Sequence, residues 1–177
     1  MYCNYSGQKR KDLFPFVIEE LKASIDSFLF NGYSVNFIPM EVKNSASDDR
    51  VYMRLIIDAV STEYKEKIRI IEPAGPSIMD TIDSFADNDL IIAYKTHSVV
   101  FSLISSIPVI AIAYHPKSIE FMESVGLKDY SLTDRMATKE NLVRLVNTIE
   151  SNYDDIVSTE IQEVKNKAES VIGYLVK

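Results

Sequence analysis

The sequence predicts an α/β protein, a Rossmann-like three-layer sandwich in which a mainly parallel sheet is covered by helices on both faces. Three observations carry this. Segments with apolar residues at helical spacing alternate with short strand-like apolar runs along nearly the whole chain. The runs "LIIAY" and "PVIAIAY" are continuously apolar, which suits strands buried on both sides rather than a hairpin with one wet face. Turn-forming clusters such as "PAGPS" separate the segments. At 177 residues the chain suits one domain, 1–177, with a last helix over about 153–176 packing as a terminal extension.

The elements follow in order. Asp12 to Asn31 spaces Leu13, Val17, Leu21, Ile25 and Phe28 at helical intervals, and Gly32 is placed to end the helix. "YSVNFIP" reads as a strand stopped by Pro39. After the polar "KNSASDD", Asp48 or Asp49 caps a helix reaching about Glu63, with Met53, Ile56, Ile57 and Val60 on its apolar face. "KIRIIE" is the next strand. Ser77 to Ala86 forms a short helix with Ile78, Ile82 and Phe85 on one side, and "LIIAY" follows as a strand. A helix starts at Thr96 or Ser98 and ends near Ser106, and "PVIAIAY" is the most apolar strand. Pro116 to Val125 is a helix closed by Gly126, and "DYSL" is a short edge strand. Thr138 to Ser151 puts Leu142, Leu145, Val146 and Ile149 on one stripe, and Tyr153 to Val176 completes the chain.

Composition narrows the function classes. The net charge is −7, from 26 acidic and 19 basic side chains, so no broad cationic surface is available for a nucleic-acid backbone. A small anion site built from amides and one or two cations remains compatible with that charge. A single cysteine, Cys3, rules out an internal disulfide and a thiolate metal cluster, which fits a reducing, cytoplasmic setting. The longest oily run, "IPVIAIAY", is too short for a transmembrane segment. The two histidines, His97 and His115, lack compact ligand spacing, so no metal is expected, and no spaced-glycine fingerprint points to a dinucleotide or other cofactor.

In an open α/β sheet ligands gather where strands end and helices begin. Three connections fall there: Glu72–Ser77, Tyr94–Ser98 and Tyr114–Lys117. Lys95, Thr96, His97 and Ser98 bring a cation, hydroxyls and an imidazole to a helix start, a set suited to phosphate or carboxylate, and His97 is able to exchange a proton near neutral pH. The bland alternative is that Thr96 or Ser98 caps the helix and His97 packs on a loop. Lys117 suits a phosphoryl or acidic sugar group, whereas His115 is either a ligand contact or a polar residue at a strand exit. Glu72 is positioned to bind a sugar hydroxyl, to orient His97, or to cap the nearby helix.

The segment from "IRIIEP" through "DNDLIIAYKTHSVVFSLISSIPVIAIAYHPKSIEFMESVGL", with "GYSVNFIPM" and the downstream "DD", resembles the carboxyl-terminal domain of the polysaccharide pyruvyl transferase family. The resemblance spans roughly Asp12 to Glu150 and is most specific from Leu90 to Gly126. It implies one half of a two-domain transferase resembling the GT-B type, which transfers the pyruvyl group of phosphoenolpyruvate to a sugar in a surface polysaccharide. The family pattern of Arg, an apolar residue and His falls on Lys95, Thr96 and His97. Lys95 keeps the charge but lacks the guanidinium fork. A Pro-led strand, Tyr and Lys fall on Pro108, Tyr114 and Lys117, with Ile107 where the family usually has Gly.

By that resemblance His97 and Glu72 are the catalytic candidates. Lys95, Thr96, Ser98, Tyr114, His115 and Lys117 are the substrate-binding ones. The implied partners are phosphoenolpyruvate, a sugar or polysaccharide precursor, and an amino-terminal domain or partner chain supplying the other half of the cleft. A lipid-linked acceptor would bring the protein to the inner face of a membrane. Two other readings share the fold: a non-catalytic glycan- or phosphosugar-binding module, and one half of a nucleotide-sugar glycosyltransferase.

Overall fold

The structure is a computed structural model and describes residues 13–42 and 48–166. Cys3, the predicted helix start at Asp12, the loop through "KNSAS" and the predicted end of the last helix at Val176 lie outside the described residues. The fold is α/β, with largely parallel strands and interspersed helices in a broadly Rossmann-like order. The described strands form two hydrogen-bonded sheets, of two and three strands, rather than the single sheet expected. The chain divides into two compact units: residues up to Ser84 with Thr133–Val143, and Phe85–Leu132 with Arg144 onward.

In the first unit, α1 (Leu13–Phe30) ends in a Schellman turn. Gly32, at φ 97°, donates to the Leu29 carbonyl, and Tyr33 donates to Phe28. The ring of Tyr33 meets that of Phe28 edge-on at 5.9 Å, the apolar contact this turn favours. Strand β1 (Val35–Phe37) pairs in parallel with β2 (Ile68–Ile70), Val35 opposite Ile68. Helix α2 (Asp49–Ala59) stops earlier than its apolar spacing predicts, because Val60 turns extended at φ −73°, ψ 144° and the chain enters a 3₁₀ turn, Thr62–Lys67. Ile25, Leu29, Ile56 and Val60 form the core of this unit, flanked by Ile18, Val35, Phe37, Tyr64 and Ile68. A fully buried side chain such as Leu29 contributes about 1.5–3 kcal/mol. The short helix α3 (Ile78–Asp83) follows β2.

The three-stranded sheet has the order β3 (Ile91–Ala93), β4 (Val109–Ala113) and β5 (Ser131–Thr133). Strands β3 and β4 are parallel, with Ala93 opposite Ala111. All five residues of β4 are buried, as its unbroken apolar sequence requires. Helices α4 (Thr96–Ile104) and α5 (Pro116–Ser124) both pack on β4. Each ends in a Schellman turn. Gly126, at φ 83°, serves α5, with the buried pair Leu127 and Met122 closing it. Ser106 serves α4 at φ 60°, a conformation glycine adopts more easily, and its hydroxyl meets the Lys165 ammonium. Helix α6 (Lys139–Ser151) begins in the first unit and ends in the second. It is followed by α7 (Tyr153–Asp155), which continues through a π-helical turn, Ile156–Ile161, into helix as far as residue 166.

Candidate functional site

The parallel pairing of β3 and β4 sends both chains out at the same end of the sheet, so the turns Tyr94–Ser98 and Tyr114–Lys117 emerge side by side. Two contacts join them. The rings of Tyr94 and Tyr114, each the first residue beyond its strand, stack 5.2 Å apart and 12° from parallel. Two residues further on, the Thr96 hydroxyl lies 2.7 Å from that of Ser118. Thr96 is half-buried and opens α4, whereas Ser118 is buried in the first turn of α5.

The helix starts differ from the cap expected at Thr96 or Ser98. Lys95 is the residue before α4, and its side chain makes no capping hydrogen bond to that helix. The amides of Ser98 and Val99 both donate to the Lys95 carbonyl, at 2.9 and 3.3 Å. Ser98 is buried on the inward face of α4, while His97 is exposed at its amino end. At α5 the capping residue is His115, whose Nδ1 accepts from the Lys117 amide at 3.1 Å, and Pro116 occupies the first helical position. His115 therefore serves α5 as its N-cap through Nδ1. Lys117 is exposed.

The connection Glu72–Ser77 is occupied by the protein's own acid. The Asp80 carboxylate accepts from the Ser77 amide at 2.9 Å and from the Ser77 hydroxyl at 2.6 Å, while the Asp80 amide donates back to that hydroxyl. These hydrogen bonds hold the Asp80 carboxyl below its usual range. A Cβ on Gly75 would fall 2.7 Å from Asp80 Oδ2, so the loop is closed down on this carboxylate. Ser77, not Glu72, thus caps α3.

Glu72 is exposed and belongs to the first unit. Its carboxylate accepts from Arg50 Nη1 at 3.3 Å. The same guanidinium donates through Nε and Nη2 to Asp48, the Nη2 bond being 2.6 Å, and Asp48 caps α2 by accepting from the Arg50 amide. Hydrogen bonds to Asp48 and then Glu72 hold the Arg50 guanidinium charged even more firmly than usual. Arg50 was not singled out from the sequence. The signal available was an arginine two residues after a helix-capping aspartate, but the distance to Glu72 along the chain hid the pairing. Ser118 was missed similarly; its trace is a hydroxyl on an otherwise apolar inward face.

The arrangement in the second unit can therefore present two cationic side chains, an imidazole and the amino ends of two helices beside a pair of stacked phenol rings, a set chemically suited to an anionic ligand. Among the described residues, no group of three or more His, Cys, Asp or Glu side chains is placed to hold a metal. No described helix is long and apolar enough to cross a membrane.

In a comparison with known families, the family described as polysaccharide pyruvyl transferase matches residues 4–116. The match starts nearer the amino terminus than the span read from the sequence, and it ends at Pro116, one residue short of Lys117. No curated protein and no solved structure matches the chain.

Proposed function

Because this chain belongs to the polysaccharide pyruvyl transferase family, we propose that it binds phosphoenolpyruvate at the β3–α4 and β4–α5 turns and serves as half of a pyruvyl-transferring site. The observation that carries the reading is the joining of those two turns, which keeps the Lys95–His97 stretch, inside the matched family region, next to the start of α5, where that region ends. Lys95 and Lys117 supply electrostatic contacts to the phosphate and carboxylate. His97, exposed at the head of α4, is the proposed acid: it donates a proton to the methylene carbon, leaving an oxocarbenium-like C2. One sugar hydroxyl adds at C2, phosphate leaves with the C2–O electron pair, and a second hydroxyl closes the ketal. The net change consumes phosphoenolpyruvate and a diol and releases inorganic phosphate.

Glu72, whose carboxylate accepts from Arg50, is proposed to receive a sugar hydroxyl. The acceptor-binding half of the cleft is proposed to come from a second domain or a partner chain.

Titration with phosphoenolpyruvate, followed through the amides of residues 94–98 and 115–118, tests the reading. Saturable shifts confined to those turns, weakened in His97→Ala, support it. Absence of any shift at millimolar ligand defeats it. A binding module without turnover is the second reading, favoured by the lysine at position 95, which cannot form the two parallel hydrogen bonds of a guanidinium. Saturable binding without phosphate release in the presence of a completing domain would select it.

A further inference from the structure

The two turns differ in how they are held. The first turn of α5 has its own cap in His115, whereas α4 begins at Lys95 with no side-chain cap. An uncapped helix start leaves amides without intrahelical partners and tends to fray. Thr96, the first residue of α4, instead directs its hydroxyl across to Ser118, which is only 3% exposed. A hydrogen bond shielded from water in this way resists exchange with solvent better than one on the surface. The stack of Tyr94 on Tyr114 makes a second crossing immediately beyond the strands.

Between these two crossings lie two lysines, and the imidazole is just beyond them. Lys95 sits between Tyr94 and Thr96, and Lys117 between Tyr114 and Ser118; His97 follows Thr96 directly. We propose that Ser118 is a positioning residue: through Thr96, and together with the tyrosine stack, it anchors the uncapped start of α4 to the capped start of α5. The two turns then engage one phosphorylated ligand as a unit. The ligand part of this inference rests on the function proposed above; the anchoring part does not.

The test uses the whole chain and compares wild type with Ser118→Ala, Thr96→Val and Thr96→Ser. Amide hydrogen exchange is read at Ser98 and Val99, which report on the α4 start but are remote in sequence from position 118. Ser118→Ala is expected to speed their exchange by about fivefold or more, the loss of one shielded hydrogen bond. Thr96→Val should do the same, and Thr96→Ser, which keeps the hydroxyl, should restore wild-type exchange. His115 should limit the reciprocal effect of Thr96→Val on the α5 amides. Phosphoenolpyruvate is then titrated into each folded variant, with Ser118→Ala expected to bind about tenfold more weakly and Thr96→Ser like wild type.

Unchanged exchange at Ser98 and Val99 in both Ser118→Ala and Thr96→Val overturns the anchoring. Faster exchange with unaltered phosphoenolpyruvate affinity overturns the positioning role while leaving the proposed function standing. If wild type itself ignores phosphoenolpyruvate but the exchange effect is present, the anchoring stands and the pyruvyl-transfer reading falls. Should Ser118→Ala fail to fold, the pair Thr96→Val and Thr96→Ser decides the question.

Discussion

His115 illustrates how a single residue divides between chemistry and architecture. Its Nδ1 accepts from the Lys117 amide, the arrangement of an N-cap, so the imidazole holds α5 in place instead of facing a ligand with that atom. His115→Ala is expected to destabilise the protein by about 1 kcal/mol, with His115→Asn retaining most of that stability, as read by denaturant unfolding. Lys95 raises the opposite question, because a charge is present where a planar fork would grip better. Lys95→Arg should tighten phosphoenolpyruvate binding by about three- to tenfold, measured by calorimetry; a weaker or equal affinity would place the donor away from this turn.

At the scale of elements, turn chemistry accounts for much of the helix lengths. Gly32 and Gly126 stop α1 and α5 where left-handed backbone is needed, and Val60, extended, stops α2 before the apolar spacing runs out. The π-helical turn Ile156–Ile161 carries Glu160, one of whose carboxylate oxygens is buried without a partner. Burial raises the Glu160 carboxyl above its usual range, with Asp129 and Glu163 adding to the rise and the Tyr130 hydroxyl opposing it. The folded state therefore binds this proton more tightly than the unfolded chain, and stability falls as pH rises from the unfolded pKa through the folded one. Glu160→Gln is expected to stabilise the protein at neutral pH, with the advantage shrinking as the medium is acidified below that range. Thermal unfolding at several pH values reads the trend, and an advantage independent of pH would show that charge is not the cause.

For the whole molecule, a net charge of −7 meets a proposed ligand that is itself multiply anionic. Long-range repulsion then slows encounter at low salt, while short contacts with lysines act only once the ligand has arrived. The association rate for phosphoenolpyruvate should rise between about 10 mM and 150 mM salt, the reverse of a cationic binding protein, and stopped-flow titration reads the sign.

The sequence by itself determined the order of helices and strands, the buried character of Val109–Ala113 and the positions of the stopping glycines, because periodicity, apolar runs and left-handed turns are properties of neighbouring residues. It also located the strand ends at which Lys95, His97 and Lys117 lie. Which strands share a sheet was not local information, and the single expected sheet resolved into two. The Thr96–Ser118 and Arg50–Glu72 contacts each join residues 22 positions apart. Only the tertiary structure decided them, since such contacts depend on strand register and on where a helix start lands, and neither leaves a mark in the spacing of either partner alone.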